Sequence, residues 1–370
     1  MHSQSSISTL PYPCPRSRTS KNLYVELAKQ GLRMPIGTDI ILQQEADPRS
    51  VRMDGRALGA VVERAARHYR TPLAFPLMDL SLEKLDLLTF LGVSAPEIAS
   101  YHFPAPPTED TVRHVAAENA RPFPPACAAA QGAVRYIAES TDLVPVGMLI
   151  GPFSLMTKLV ADPITGVALA GSGVSGDEDA SVLMVERALA LASTAVLRAA
   201  QAQIEAGARA LIVCEPAANT SYLSPRQIKA GSNVFERFVL APNLQLRSLL
   251  ASHDVDLIFH NCGVLTSDMV RQFATTLRPA MMSLGSSRKL WQDARHVPKN
   301  IVLFGNLPTK SFYSDEAMPA DEVRRLTREL LTKMQACGHP HILGSECDVL
   351  YVPESAATIL AKVELMLTVK

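Results

Sequence analysis

The stretch Asp256-Leu257-Ile258-Phe259-His260-Asn261-Cys262-Gly263 reads as a short buried strand running into a turn. Asp256 to His260 is apolar in the middle, and Gly263 turns the chain toward a helix. A run this short, bounded by turn residues, suits a strand covered on both faces, as in parallel sheets where strands alternate with helices.

Working outward, the same unit recurs. Strand-like apolar runs occupy residues 35–42 (PIGTDIIL), 72–78 (PLAFPLM), 144–150 (VPVGMLI), 209–214 (RALIVC), 281–284, 301–305 (IVLFG) and 341–344 (HILG). Helical patterns fill 21–33, 61–69, 108–119, 126–139, 180–207, 225–252, 320–336 and 354–368. With the opening stretch this makes eight β/α units, which predicts a closed α/β fold, a (β/α)8 TIM barrel. An open doubly wound sheet is the other arrangement of the same units. No linker divides the chain after residue 21, so residues 21–370 read as one barrel domain with an N-terminal helical extension. Residues 1–20 are rich in Ser, Pro and Arg, lack the apolar core of a secretory signal, and read as a disordered tail.

The 370 residues carry 36 basic and 36 acidic side chains, a balance that argues against a general nucleic-acid binder. Six cysteines show no disulfide-framework spacing, which points to a reducing, cytoplasmic setting. No uninterrupted apolar run reaches the roughly 18 residues of a membrane helix, so no membrane partner is expected.

Barrel enzymes gather their sites at the carboxyl ends of the strands. Those ends here carry Asp79, Gly151-Pro152, Glu215, His260 with Cys262, Asn306, and Glu346-Cys347-Asp348. A lone His-x-Cys is more often packing than ligation. Cys347, 85 residues beyond Cys262, changes the balance, because a barrel brings both to one rim. His, Cys and Cys with an open fourth position have the composition of a catalytic zinc site. Cys214 ends a strand and is a spare ligand candidate.

Two other motifs read as decoys. Gly171-Ser172-Gly173-Val174-Ser175-Gly176 matches a dinucleotide fingerprint, but Asp177-Glu178-Asp179 follows at once, where a pyrophosphate would be repelled. Cys337-Gly338-His339-Pro340-His341 precedes its strand and so falls at the opposite rim from Cys347.

The chain resembles the uroporphyrinogen decarboxylase superfamily and, within it, the zinc-dependent, corrinoid-linked methyltransferases. The carrying motifs are Met78-Asp79, Gly151-Pro152-Phe153-Ser154, Glu215-Pro216 with Leu223-Ser224-Pro225, His260-x-Cys262-Gly263, Gly305-Asn306-Leu307 and Cys347-Asp348-Val349. The decarboxylase branch places arginines after the first strand; here Gly37 to Leu42 contains none. The resemblance implies a (β/α)8 barrel with zinc on His260, Cys262 and Cys347, and with Glu215 or Glu346 as fourth ligand. It implies methyl transfer between a small methyl donor or thiol acceptor and a corrinoid (methylcobalamin) carried by a partner protein. Asp79 and Glu215 are the expected catalytic acids, Asp79 facing the cavity and Glu215 within reach of the metal. The rival readings are a decarboxylase-like enzyme acting on a tetrapyrrole, and a non-catalytic barrel that binds a corrinoid protein.

Overall fold

The structure, a computed structural model, describes residues 22–118 and 120–369. The expected tail over residues 1–20 lies outside the described residues. Seven parallel strands follow one another around the sheet in chain order: β1 Leu73–Ala74, β2 Val144–Ile150, β3 Ala210–Cys214, β4 Asp256–Asn261, β5 Met281–Leu284, β6 Val302–Phe304 and β7 His341–Ile342.

The eighth stave is a pair of isolated bridges. Arg33 pairs with Leu343 and Ile36 with Asp348, both in parallel. Met34 N–H donates to the Leu343 carbonyl at 3.0 Å, and Val349 N–H donates to the Ile36 carbonyl at 2.8 Å. Toward β1 the closure is made by side chains: Thr38 Oγ1 donates to the Phe75 carbonyl at 2.6 Å. The expected strand over 35–42 is corrected here, because Thr38–Leu42 is a short helix. Ile40, Ile41 and Leu42 are all buried in the outer core, whereas a strand would have sent alternate residues to opposite faces. A short apolar run does not distinguish the two forms. The stretch 225–252, expected to be mostly helical, is helical in pieces. It becomes Pro225–Lys229, a widened π turn Glu236–Leu240, and Ala241–Ser252, with Pro242 unable to donate at the junction.

Period-two alternation along the strands builds two cores. Val146, Ile212, Cys214, Ile258, Met281 and Phe304 fill the barrel interior. Leu149, Val213, Phe259, Met282 and Leu303 face the helices. Helix Leu23–Lys29 adds Leu23, Tyr24 and Leu27 to the interior cluster and packs beside β6 and β7.

The ring is split between β1 and β2. β1 pairs only with Val144 and Pro145, leaving the later backbone of β2 without a strand neighbour on that side. Gln203 takes its place: Oε1 accepts from Met148 N–H at 2.9 Å and Nε2 donates to the Met148 carbonyl at 2.8 Å. A Cβ on Gly147 would lie 2.1 Å from Gln203 Oε1, so only glycine admits this side chain. Glu83, buried, accepts from Ile150 N–H one step further on. Gln203 belongs to helix Ala180–Glu205, which by length and composition alone could cross a membrane. In the fold it packs against β2 and six helices, and Asp179 caps its start by accepting from Ser181 and Val182 N–H.

Candidate metal centre

β4 delivers His260 to the carboxyl end of the barrel, level with Cys214 on β3 and Ser283 on β5. Alternation turns His260 inward, as it does Ile258. Its Nδ1 lies 2.8 Å from Ser283 Oγ. With the serine oxygen accepting from Nδ1–H, the ring's lone pair is on Nε2. That Nε2 is buried and has no hydrogen-bond partner among the described residues.

The turn after His260 is clamped. Asn261 Nδ2 donates to the carbonyls of Glu215 at 2.6 Å and Ala218 at 3.0 Å, and its Oδ1 accepts from Gly263 N–H at 2.9 Å. Gly285, just past β5, passes so close that a Cβ there would lie 2.6 Å from the Cys262 carbonyl oxygen. The segment after β7 runs beside β6 through the Leu307–Ser345 bridge and beside the eighth stave, where Ile36 N–H donates to Ser345 Oγ at 2.8 Å. This register carries Cys347 to the His260 rim. One ligand atom each from His260, Cys262 and Cys347 lie within 4.8 Å of one another.

A hydrogen bond from the Cys347 thiol draws the Cys262 thiol down, against burial and with help from His260 and Lys310. The same hydrogen bond, then burial, raises Cys347. Lys310, whose charge burial disfavours, is nonetheless held in its charged form by Cys262, Cys347 and Glu346. An orphaned imidazole lone pair and a thiol–thiolate pair are the donors that zinc prefers. The residues present therefore fit a zinc ion held by three protein ligands, and Ser283 orients the imidazole in the manner usual for metal-bound histidines. Cys214 lies below in the barrel interior; burial, then the nearby Cys262, pushes its thiol well up, and it stands outside the three-residue group.

The expected acids have separate placements. Glu215 is fully buried at the amino end of helix Pro152–Leu159. Its carboxylate accepts from Phe153 N–H at 3.2 Å, Ser154 N–H at 2.8 Å and Asn243 Nδ2 at 2.7 Å. Burial raises its pKa, and those three donors oppose the rise. A Cβ on Gly151 would lie 2.0 Å from Glu215 Cδ, so the glycine makes room for the cap. Glu215 therefore organises the helix start that faces the rim, and it is not among the three clustered ligand residues. Glu346 is buried and accepts from Ser286 N–H at 3.1 Å and from Ser286 Oγ. Asp79 is half-buried and accepts from Ser81 N–H at 3.1 Å. With Asp39, Arg52, Leu77, Met78 and Asp348 it lines a rim cavity of about 220 Å3.

The motif Cys337 to His341 is dispersed by its hydrogen bonds. His339 Nε2 meets the Ile301 carbonyl at 2.9 Å, His341 Nε2 meets the Gly305 carbonyl at 2.7 Å, and Cys337 Sγ donates to Met334. Gly171 ends helix Pro163–Gly171, so the glycine motif follows a helix and not the strand that a dinucleotide turn needs. All five described cysteines are free. Reading the sequence missed Ser283, Gly285, Lys310 and Asn243. Each acts through register with a distant strand or helix, and none stands in a motif.

No curated protein matches the chain at a significant level. Among solved structures, a methyltransferase from Methanosarcina mazei superposes with a TM-score of 0.62 over 93% of this chain and 98% of that one, at 15% identity. That likeness is one of fold. The uroporphyrinogen decarboxylase (URO-D) family model matches residues 91–364, from before β2 into the last helix, and includes both halves of the His260–Cys262–Cys347 set. The chain belongs to the uroporphyrinogen decarboxylase (URO-D) family.

Proposed function

We propose that this protein is a zinc-dependent methyltransferase that moves a methyl group between a small methylated or thiol substrate and a corrinoid carried by a partner protein. The observation that carries the reading is the convergence of His260 Nε2, unpartnered and buried, with the thiols of Cys262 and Cys347. Bound there, zinc would keep a coordinated thiol ionised at neutral pH or polarise an ether or thioether heteroatom.

The chain's own residues have the following parts. His260, Cys262 and Cys347 hold the metal, with Ser283 fixing the imidazole tautomer. Lys310 places positive charge beside the two thiols and offsets negative charge gathering at the reacting heteroatom. Asp79, at the cavity wall, accepts a hydrogen bond from the substrate. Glu215 keeps the Gly151–Ser154 turn in place. The free thiols suit a reducing cytoplasm.

Porphyrinogen decarboxylation is disfavoured by the same rim. Residues 37–42 hold no arginine, and Arg52 is already engaged by Asp39 at 2.6 Å. Substrate carboxylates would meet Asp39, Asp79 and Asp348 there. Metal analysis of the purified protein, with methylcobalamin demethylation followed against a panel of thiols and Co(I) cobalamin methylation followed against a panel of methoxyarenes, tests the reading. One zinc per chain and thiol- or ether-dependent turnover are expected. A zinc-free chain with no turnover would end it, and stoichiometric zinc without turnover would favour a non-catalytic barrel.

A further inference from the structure

The amino ends of β4 and β5 open on a cavity of about 810 Å3, at the opposite end of the barrel from the metal-ligand set. Asp256 starts β4 and His260 stands near its far end, roughly 13 Å away along the strand. Three arginines line the cavity: Arg209 just before β3, Arg247 in the helix before β4, and Arg278 at the turn before β5. Two acids line it as well, Asp254 and Asp256.

These charges are not all engaged with one another. Burial disfavours the charged form of Asp256, and Tyr24 and Arg209 favour it. Arg247, Arg278 and Asp254 are left. Arg247 is half-buried and has no hydrogen bond, ion pair or ring contact among the described residues. Arg278 uses only Nε, which donates to the Thr275 carbonyl at 3.2 Å, so both its Nη groups are without a partner there. Asp254 is ion-paired with neither arginine.

Arg278 also holds an unfavourable backbone position. It ends the π turn Phe273–Leu277 at φ +48°, in the left-handed region. Glycine fills such a position without steric cost, and a long side chain does not. Positive charge at a helix's carboxyl end is favourable without a ligand, but that benefit does not need the left-handed residue to supply it. The Nε tether fixes the guanidinium before anything binds, which lowers the entropy lost on binding. Two unpaired guanidinium forks beside one unpaired acid suit a doubly charged oxyanion better than a single carboxylate. The volume also falls in the range of small-molecule sites, about 300–1,000 Å3.

We propose that this cavity binds a dianionic phosphate group through Arg247 and Arg278, as free phosphate or on a small phosphomonoester. The site is independent of the methyl-transfer reading.

Calorimetric titration of the full chain with inorganic phosphate, glycerol 3-phosphate and glycerol, at low ionic strength, tests this. One phosphate per chain is expected, and no binding of glycerol. Tighter binding of glycerol 3-phosphate assigns the site to a phosphomonoester; equal or tighter binding of inorganic phosphate assigns it to the free ion. Arg247→Gln and Arg278→Gly should each weaken phosphate binding at least about tenfold. Arg278→Gly relieves the left-handed side chain, so its melting temperature should equal or exceed that of wild type, and lost binding there is not lost fold. Asp254, at φ +56°, occupies a conformation that Asn adopts readily. Asp254→Asn should tighten phosphate binding about two- to threefold by removing the unpaired acid. No saturable phosphate binding, or wild-type affinity in both arginine variants, which would place the phosphate elsewhere on the chain, would overturn the proposal.

Discussion

Nδ1 of His260 lies 2.8 Å from the hydroxyl oxygen of Ser283, its register partner on the next strand. The contact sets which ring nitrogen is left to face the two thiols. Ser283→Ala should therefore weaken zinc binding by roughly 10–100-fold without unfolding the barrel. Chelator competition against wild type measures this. Unchanged affinity would mean that packing alone orients the ring.

Cys347→Ala should remove most of the zinc and nearly all methyl transfer, while circular dichroism stays that of the folded barrel. The interior and outer cores are built from strand side chains that do not need the ion. In a structural zinc site the metal supplies folding energy, and the same change would unfold the chain. Zinc content and dichroism on this one variant separate the two. X-ray absorption on the wild type should show Zn–S distances of about 2.3 Å.

Gly285→Ala would place a Cβ 2.6 Å from the Cys262 carbonyl oxygen, against backbone that has no rotamer to change. A loss of about 1–3 kcal/mol is expected, together with weaker zinc retention because Cys262 is displaced. A melting temperature and metal content equal to wild type would show that the turn can shift freely.

Asp79 faces the rim cavity and is not among the three clustered candidate ligands. Asp79→Asn should lower turnover while leaving zinc content intact. Turnover at the wild-type level would make Asp79 a cap for Ser81 and nothing more.

Burial holds the Glu83 carboxyl up at about 8, with only partial relief from the backbone N–H groups of Glu83 and Ile150. The folded chain thus keeps a proton that the unfolded chain releases near pH 4.3. Between that value and about 8 the folded state binds more protons, so stability falls as pH rises through the window and levels off above it. Glu83→Gln has no such proton to lose. It should match wild type near pH 4 and exceed it by roughly 2–4 kcal/mol near pH 9. Urea unfolding at both pH values reads this out, and a pH-independent difference would rule out the titration of Glu83.

Strands β2, β3 and β4 and helix Ala180–Glu205 are legible in the chain itself, as short apolar runs bounded by turn residues and as one long helical stretch between them. His260 and Cys262 are neighbours in sequence, so their convergence needed only a strand end. Cys347 was legible at one remove, through the barrel that eight β/α units imply. The helix Thr38–Leu42 was not legible: its run of Ile40, Ile41 and Leu42 suits a strand equally, and the helical choice comes from burying all three in one outer core. The same holds for Glu215, whose carboxylate is capped by Phe153 and Ser154, 62 and 61 residues away. It holds too for Ser283 beneath His260. Periodicity is a local property of the backbone and survives in one dimension. Which atom a side chain meets depends on the register between segments far apart, and that is set only when the sheet closes.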